Sequence, residues 1–258
     1  MHEIQLRDGH ELSESDNFHI GRPTGKVVMR PQWLDLLFLH WDFEPQAIQR
    51  LLPEGLQIDT FDGRAYVGLV PFTMRDVRPH FIPNLGKVGA FYDTFPELNV
   101  RTYVTRNGVP GVWFFSLDAA SALAVLAARI WFGLPYFKAR MRFWRGRDGV
   151  ARYWSKRLWP TPLPATCRVD YMVNGNAAPA EAGSLEEFLV ERYVLYSQKN
   201  GQFYRGRVWH EPYQLQSGEL RFLREDCLNA ANIQKPDVTP HFLYSRGVDV
   251  EIWDLEKC

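Results

Sequence analysis

"ELNVRTYVTRNGVPGVWFFSLD" (97–118) decides how the chain is read. Asn107-Gly108 sits between two runs rich in β-branched and aromatic residues, which is the signature of a two-residue hairpin turn. Pairing outward from that turn sets Val104 opposite Gly111, Arg101 opposite Phe114, Asn99 opposite Ser116 and Glu97 opposite Asp118. Alternation then sends Leu98, Val100, Thr102 and Val104 to one face, and Glu97, Asn99, Arg101 and Tyr103 to the other, joined by Ser116 and Asp118. A solvated outer face would carry such a polar file. However, "GVWFFSL" is apolar on both parities, so the hairpin is expected to be covered on both sides. A covered polar file needs partners or a ligand. Arg101 is then the candidate to hold a carboxylate through a forked pair of hydrogen bonds. Glu97 is the candidate acid or base, with Asp118 opposite it raising one of the two pKa values.

Outward from this hairpin the strand pattern continues. "WLDLLFLHW" (33–41) reads as a largely buried strand or a short helix leading into one, "EPQAIQRLLPEG" as a short helix, and Asp62-Gly63 as a second hairpin turn pairing residues 56–60 with 65–69. Residues 73–96 read as a loop. A helix is expected over 119–132, with Asp118 as N-cap and Gly133 after its end. A third hairpin spans 136–158 around Asp148-Gly149. It places Arg140, Arg142, Trp144, Tyr153, Ser155 and Arg157 on a basic face. Further strands are expected near 166–173, 192–197, 202–209 and 219–224, with a helix at "SLEEFLVERY". The fold class is mainly β (α+β): an antiparallel β-domain with a few short helices, preceded by a polar N-terminal extension (1–26) and spanning 27–258.

Composition narrows the function. Lysine plus arginine equals aspartate plus glutamate, 30 against 30, so no cationic surplus favours nucleic acid or an anionic membrane. Aromatics make up 14% of the chain, which suits broad β-surfaces or an aromatic-lined cavity. Three scattered cysteines without a CxxC pattern give no zinc ribbon and no disulfide framework. No histidine pair has metal-ligand spacing, and no dinucleotide, phosphate-loop or serine-hydrolase motif is present, so neither a metal nor a cofactor is expected. Ser116 stands at a strand end without the glycines that a nucleophile elbow needs. No secretion signal is visible, and the apolar run 119–134 is too short to span a bilayer and is interrupted by Arg129, so the protein is read as cytoplasmic. The expected partner is a small molecule, with no nucleic acid and no membrane; a homo-oligomer is compatible with this reading.

"GLPYFKARM" (133–141) adds one lysine, Lys138. As an imine-forming nucleophile it must be lowered by several units from about 10.4, and desolvation and the neighbouring Arg140 both act in that direction. Together with "WLDLLFLHWDF", "LLPEGLQIDTFDGRAYVGLVPFTMRDVRP", "FPELNVRTYV" and "GVWFFSLDA", this stretch resembles the YqjF-like family of uncharacterised bacterial proteins, in the acetoacetate decarboxylase-like superfamily. The resemblance covers about residues 28–245. It implies a single antiparallel β cone or barrel with a central cavity.

Acetoacetate decarboxylases carry their reactive lysine in a stretch of the type Gly-Phe-Pro-Lys-Lys-x-Ala. Laid on this chain, its glycine, proline and alanine fall on Gly133, Pro135 and Ala139, and its two lysines fall on Tyr136 and Phe137. Lys138 lies one place beyond. The family's Tyr-x-Glu strand motif is similar to "FPE" and carries its acid onto Glu97. The resemblance therefore implies a cavity protein for a small carbonyl or carboxylate compound. Glu97 and Arg101 would act in it, with Asn99, Ser116 and Tyr136 lining it; Tyr136 would offer a hydrogen bond where the relatives have an amine. Arg129 is a lesser candidate, since a cation in the last turn of a helix also complements its dipole. Two alternatives stand beside this reading: a Schiff-base lyase using Lys138, and a non-catalytic module that docks a partner through the basic face of 140–157.

Overall fold

The computed structural model describes residues 21–77, 94–122, 125, 129, 133–160 and 165–258. Its organising hairpin turns where the sequence indicates. Asn107 and Gly108 both have positive φ (52° and 78°), a type I′ turn whose twist matches the flanking strands β5 (Phe95–Arg106) and β6 (Val109–Ala119). Before β5 come β1 (Val27–Met29), β2 (Gln32–Phe43), the short helix α1 (Pro45–Gln49), β3 (Gln57–Ile58) and β4 (Ala65–Arg75). After β6 come β7 (Tyr136–Arg145), β8 (Ala151–Trp159), β9 (Thr166–Val173), α2 (Leu185–Val190), β10 (Val194–Lys199), β11 (Gln202–His210), β12 (Leu215–Gln216), β13 (Gly218–Glu225), α3 (Cys227–Ala230) and β14 (His241–Lys257).

Seven strands close a ring, in the order β6-β10-β11-β14-β2-β4-β5 and back to β6. From β6 the sheet also branches into β7, β8, β9 and β13, which form a side sheet. The central strands are buried on both faces, which accounts for runs such as "LLFLHW". One face of β2, β4 and β5 (Leu37, Leu39, Val67, Leu69, Leu98, Val100) packs against Ala139, Met141, Tyr153 and Val169 of the side sheet. The other face (Phe38, Val70, Phe72, Tyr103) lines the ring interior, with Leu189 and Val190 of α2 packed into it.

Three expectations are corrected. First, β5 and β6 follow the expected register only as far as Arg101 opposite Phe114. Val100 then pairs with Ser116, Asn99 with Leu117 and Glu97 with Ala119, so Phe115 is an extra, bulged residue. Ser116 and Asp118 therefore share the face of Val100 and Leu98, opposite to that of Glu97. β6 runs on through Ala119, so Asp118 is a strand residue and not a helix cap. Residues 122, 125 and 129 are helical, and Gly133 has φ +63° as expected after a helix; the rest of the expected 119–132 helix lies outside the described residues.

Second, the β7–β8 turn closes between Gly146 and Val150, with Gly149 at φ +76°. This three-residue loop moves the register by one from that of a two-residue turn. Tyr153, Ser155 and Arg157 consequently lie on the buried face with Met141, while Arg152, Trp154 and Lys156 lie on the outer one. Third, Asp62-Gly63 closes only the short Phe61–Arg64 bridge, and the preceding strand β3 pairs with β5 instead of β4.

Candidate functional site

The polar file of β5 points into the ring interior. Glu97 is 2% exposed, in register with Phe72 on one side and Ala119 on the other. The Tyr136 hydroxyl donates toward both of its carboxylate oxygens, at 3.1 and 3.2 Å. Burial pushes the Glu97 pKa up to about 8; the Tyr136 hydrogen bond opposes the rise and the negative charge of Asp118 adds to it. Glu97 is therefore mainly a neutral acid at pH 7.

Arg101, four residues along the same face, is also buried. One of its terminal nitrogens donates to the Leu189 carbonyl at 2.9 Å, near the C-terminal end of α2, where helix carbonyls lack intrahelical partners. The guanidinium carbon lies 5.5 Å from the Phe38 ring centroid and 5.6 Å from that of Tyr103. Among the described residues, no carboxylate lies within ion-pair distance of Arg101, and its Nε has no hydrogen-bond partner. Arg192, buried nearby, differs in having Asp59 at 2.8 Å. Between Glu97 and Arg101, Asn99 presents a buried Oδ1 that is also unpartnered among the described residues.

His40 completes this wall from β2. Its Nε2 lies 2.6 Å from the Tyr103 hydroxyl, which donates to the Leu189 carbonyl at 2.6 Å. Burial, with the charges of Arg101 and His241, holds its pKa well below the usual imidazole range. A neutral ring donating through Nε2 leaves Nδ1 as an acceptor, and Nδ1 is unpartnered among the described residues. Gly68, across from His40, makes room for the ring: a Cβ there would stand 2.7 Å from Nε2.

Of the residues singled out from sequence, Glu97, Asn99, Arg101 and Tyr136 come together. Asp118 does not join them. It lies on the opposite face, where Arg157 donates to its two oxygens at 2.7 and 3.3 Å and stacks 3.9 Å over Phe137. Ser116 is buried on that same far face. Arg129 donates to the backbone carbonyl of Tyr136 at 2.6 Å, so it braces β7. Lys138 is in register with Ala119, and hence with Glu97, on the interior face, but its amine donates to the Ala120 carbonyl. Desolvation lowers its pKa.

Sequence reading did not name His40 as a site neighbour, and it put Tyr103 on the face of Glu97 and Arg101 without giving it a role. The lone polar residue inside "LLFLHW" was an available signal for His40. A cleft of about 830 Å³ is lined in part by Phe188, Arg192, Glu191 and Asp59. Among the described residues, no group of three histidine, cysteine or acidic side chains is placed to hold a metal, and no helix is long and apolar enough to cross a membrane.

The strand ring with its branched side sheet is an acetoacetate decarboxylase-like fold. An acetoacetate decarboxylase-like enzyme from Sphingomonas wittichii RW1 superposes with a TM-score of 0.62 at 14% identity, covering 96% of this chain and 98% of that one. The enduracididine biosynthesis enzyme MppR, complexed with pyruvate, gives 0.59 at 14% identity over 96% and 95%. Acetoacetate decarboxylase from Legionella pneumophila gives 0.56 at 12% identity over 97% and 98%. The chain belongs to the DUF2071 family of uncharacterized conserved proteins, whose sequence profile matches residues 30–249. It is 37% identical to the uncharacterized protein YqjF of Bacillus subtilis (strain 168) over 239 residues, 93% of this chain and 96% of that one.

Proposed function

We propose that the ring interior binds a small carboxylate compound bearing a carbonyl group, with Arg101 as the anchor of its carboxylate and Glu97 as the acid–base group. The observation that carries this reading is the buried Arg101 guanidinium with no carboxylate within reach among the described residues. A buried cation lacking its counter-charge is costly, and a bound anion would supply it. Glu97 and Arg101 project from the same face of β5, roughly 13 Å apart at the backbone at about 3.3 Å per residue. A protonated Glu97 can donate to a carbonyl oxygen, and once ionised it can take a proton from the adjacent carbon. Asn99 and His40 offer further acceptors, and the Tyr136 hydroxyl orients Glu97. The pyruvate complex of MppR makes pyruvate a natural first probe.

Thermal-shift titration with pyruvate and acetoacetate tests the proposal. Stabilisation by either, lost in Arg101→Lys and reduced in Glu97→Gln, is the expected result. Stabilisation that both variants retain, or none in the parent protein, rejects it.

A second reading is favoured by the lowered pKa of Lys138 on the interior face. Its neutral amine would condense with a ligand carbonyl, expelling water and leaving an imine. Borohydride reduction in the presence of acetoacetate should then fix an adduct on Lys138, and an unlabelled lysine removes this reading.

A further inference from the structure

The side sheet turns its second face to solvent, and its register sets the side chains there in rows. In the middle row Arg142 stands opposite Trp154, Trp154 opposite Arg168, and Arg168 opposite Arg224. In the row below, Arg140 stands opposite Lys156. Like charges placed directly opposite each other across strands cost stability, and here two such pairs, Arg168 with Arg224 and Arg140 with Lys156, lie in successive rows. Asp170 is held by Arg168 at 3.0 Å, and Glu219 by Arg221 at 3.1 Å. Among the described residues, Arg140, Arg142, Lys156 and Arg224 form no ion pair. Two large rings border the cations: Trp144 is 44% exposed and Phe222 is 42% exposed. The whole chain is electrically neutral, so this concentration of cations is local.

We propose that this face is a docking surface for an acidic protein segment, whose carboxylates pair with the guanidinium groups and whose apolar side chains cover Trp144 and Phe222. Guanidinium forks match carboxylates in plane and spacing. Nucleic acid fits the surface less well. Base stacking needs free ring faces, whereas the Arg168 guanidinium already lies 4.9 Å from the Phe222 ring centroid. A neutral chain also lacks the long-range field that draws in a polyanion. The surface lies on the side sheet and uses none of Glu97, Asn99, Arg101 or His40.

Fluorescence anisotropy with a labelled peptide of alternating glutamate and leucine tests this, alongside a labelled oligothymidylate. The peptide should bind, weaken as salt rises, and bind at least about tenfold more weakly to Arg142→Glu/Arg224→Glu, a loss of ~1.4 kcal/mol. Thermal melting of Arg224→Glu guards against misfolding: a glutamate facing Arg168 should keep or raise the melting temperature while binding is lost. Absence of peptide binding overturns the proposal, as does binding indifferent to the charge reversals. Tighter binding of the oligothymidylate reassigns the face to nucleic acid and equally overturns it. So does salt-sensitive self-association in sedimentation that the same variants abolish, which would make the occupant a second copy of the chain.

Discussion

The Tyr136 hydroxyl sits 3.1 Å and 3.2 Å from the two carboxylate oxygens of Glu97, although the two residues belong to strands separated by β6. The contact favours the ionised form of Glu97 against the stronger effect of burial. Tyr136→Phe should therefore move the Glu97 pKa further above about 8. Carbon-detected NMR titration of the carboxyl reads the value directly; an unchanged or lower value contradicts the assignment.

Glu97 also gives stability a distinctive pH dependence. A carboxyl is protonated in the unfolded chain only below about 4.3, whereas the folded chain keeps its proton up to about 8. The folded state thus binds more protons in between, and stability falls as pH rises across that window. Glu97→Gln should remove the decline, so that the variant gains on the parent protein by up to a few kcal/mol between the ends of the window. Urea denaturation at a series of pH values measures it, and parallel curves for the two proteins refute it.

The buried histidines act in the opposite sense. His210 is held down to about 4 by burial, and His40 well below its ordinary range. Both must be neutral in the folded chain, while the unfolded chain protonates them below about 6.5. Their contribution to stability is present above that pH and is lost as pH falls toward the folded values. His210→Phe keeps a ring against Tyr213, whose centroid lies 4.4 Å away, and should lessen the acid-side loss. Acid unfolding midpoints that do not shift would show that His210 does not drive it.

Asp118 and Arg157 are buried together at 2.7 Å. Asp118→Asn leaves the guanidinium without its counter-charge and should cost roughly 3–5 kcal/mol. Asp118→Leu/Arg157→Met removes both charges and should recover most of that loss. Chemical denaturation of the variants separates the pair from a mere packing effect; a double variant no better than Asp118→Asn contradicts the interpretation.

Local periodicity carried much of the architecture. The Asn107-Gly108 turn, the buried "LLFLHW" strand and the placement of Glu97, Asn99 and Arg101 on one face all follow from patterns a few residues long. What failed were single-residue shifts. Nothing in "VWFFSLD" marks Phe115 as the bulged residue, because Phe114, Phe115 and Leu117 are all apolar and suit either face. The Asp148-Gly149 dipeptide fits a two-residue turn as well as the three-residue loop that forms, so Arg157 was grouped on the face of Arg140 and Arg142 instead of against Asp118. β14 was missed because "HFLYSRGVDVEIWDLEK" is broken by Gly247 and several charges. His40 and Tyr103 meet through pairing of strands distant in sequence, which no local window contains.

The ring is closed by its last strand in chain order: β14 lies between β11 and β2. On a ribosome, β2 would wait for nearly the whole chain to emerge before its partner arrived, with one backbone edge bare throughout. Nascent chains halted before residue 241 should accordingly engage holdase chaperones and remain protease-sensitive, whatever the state of the β5–β6 hairpin.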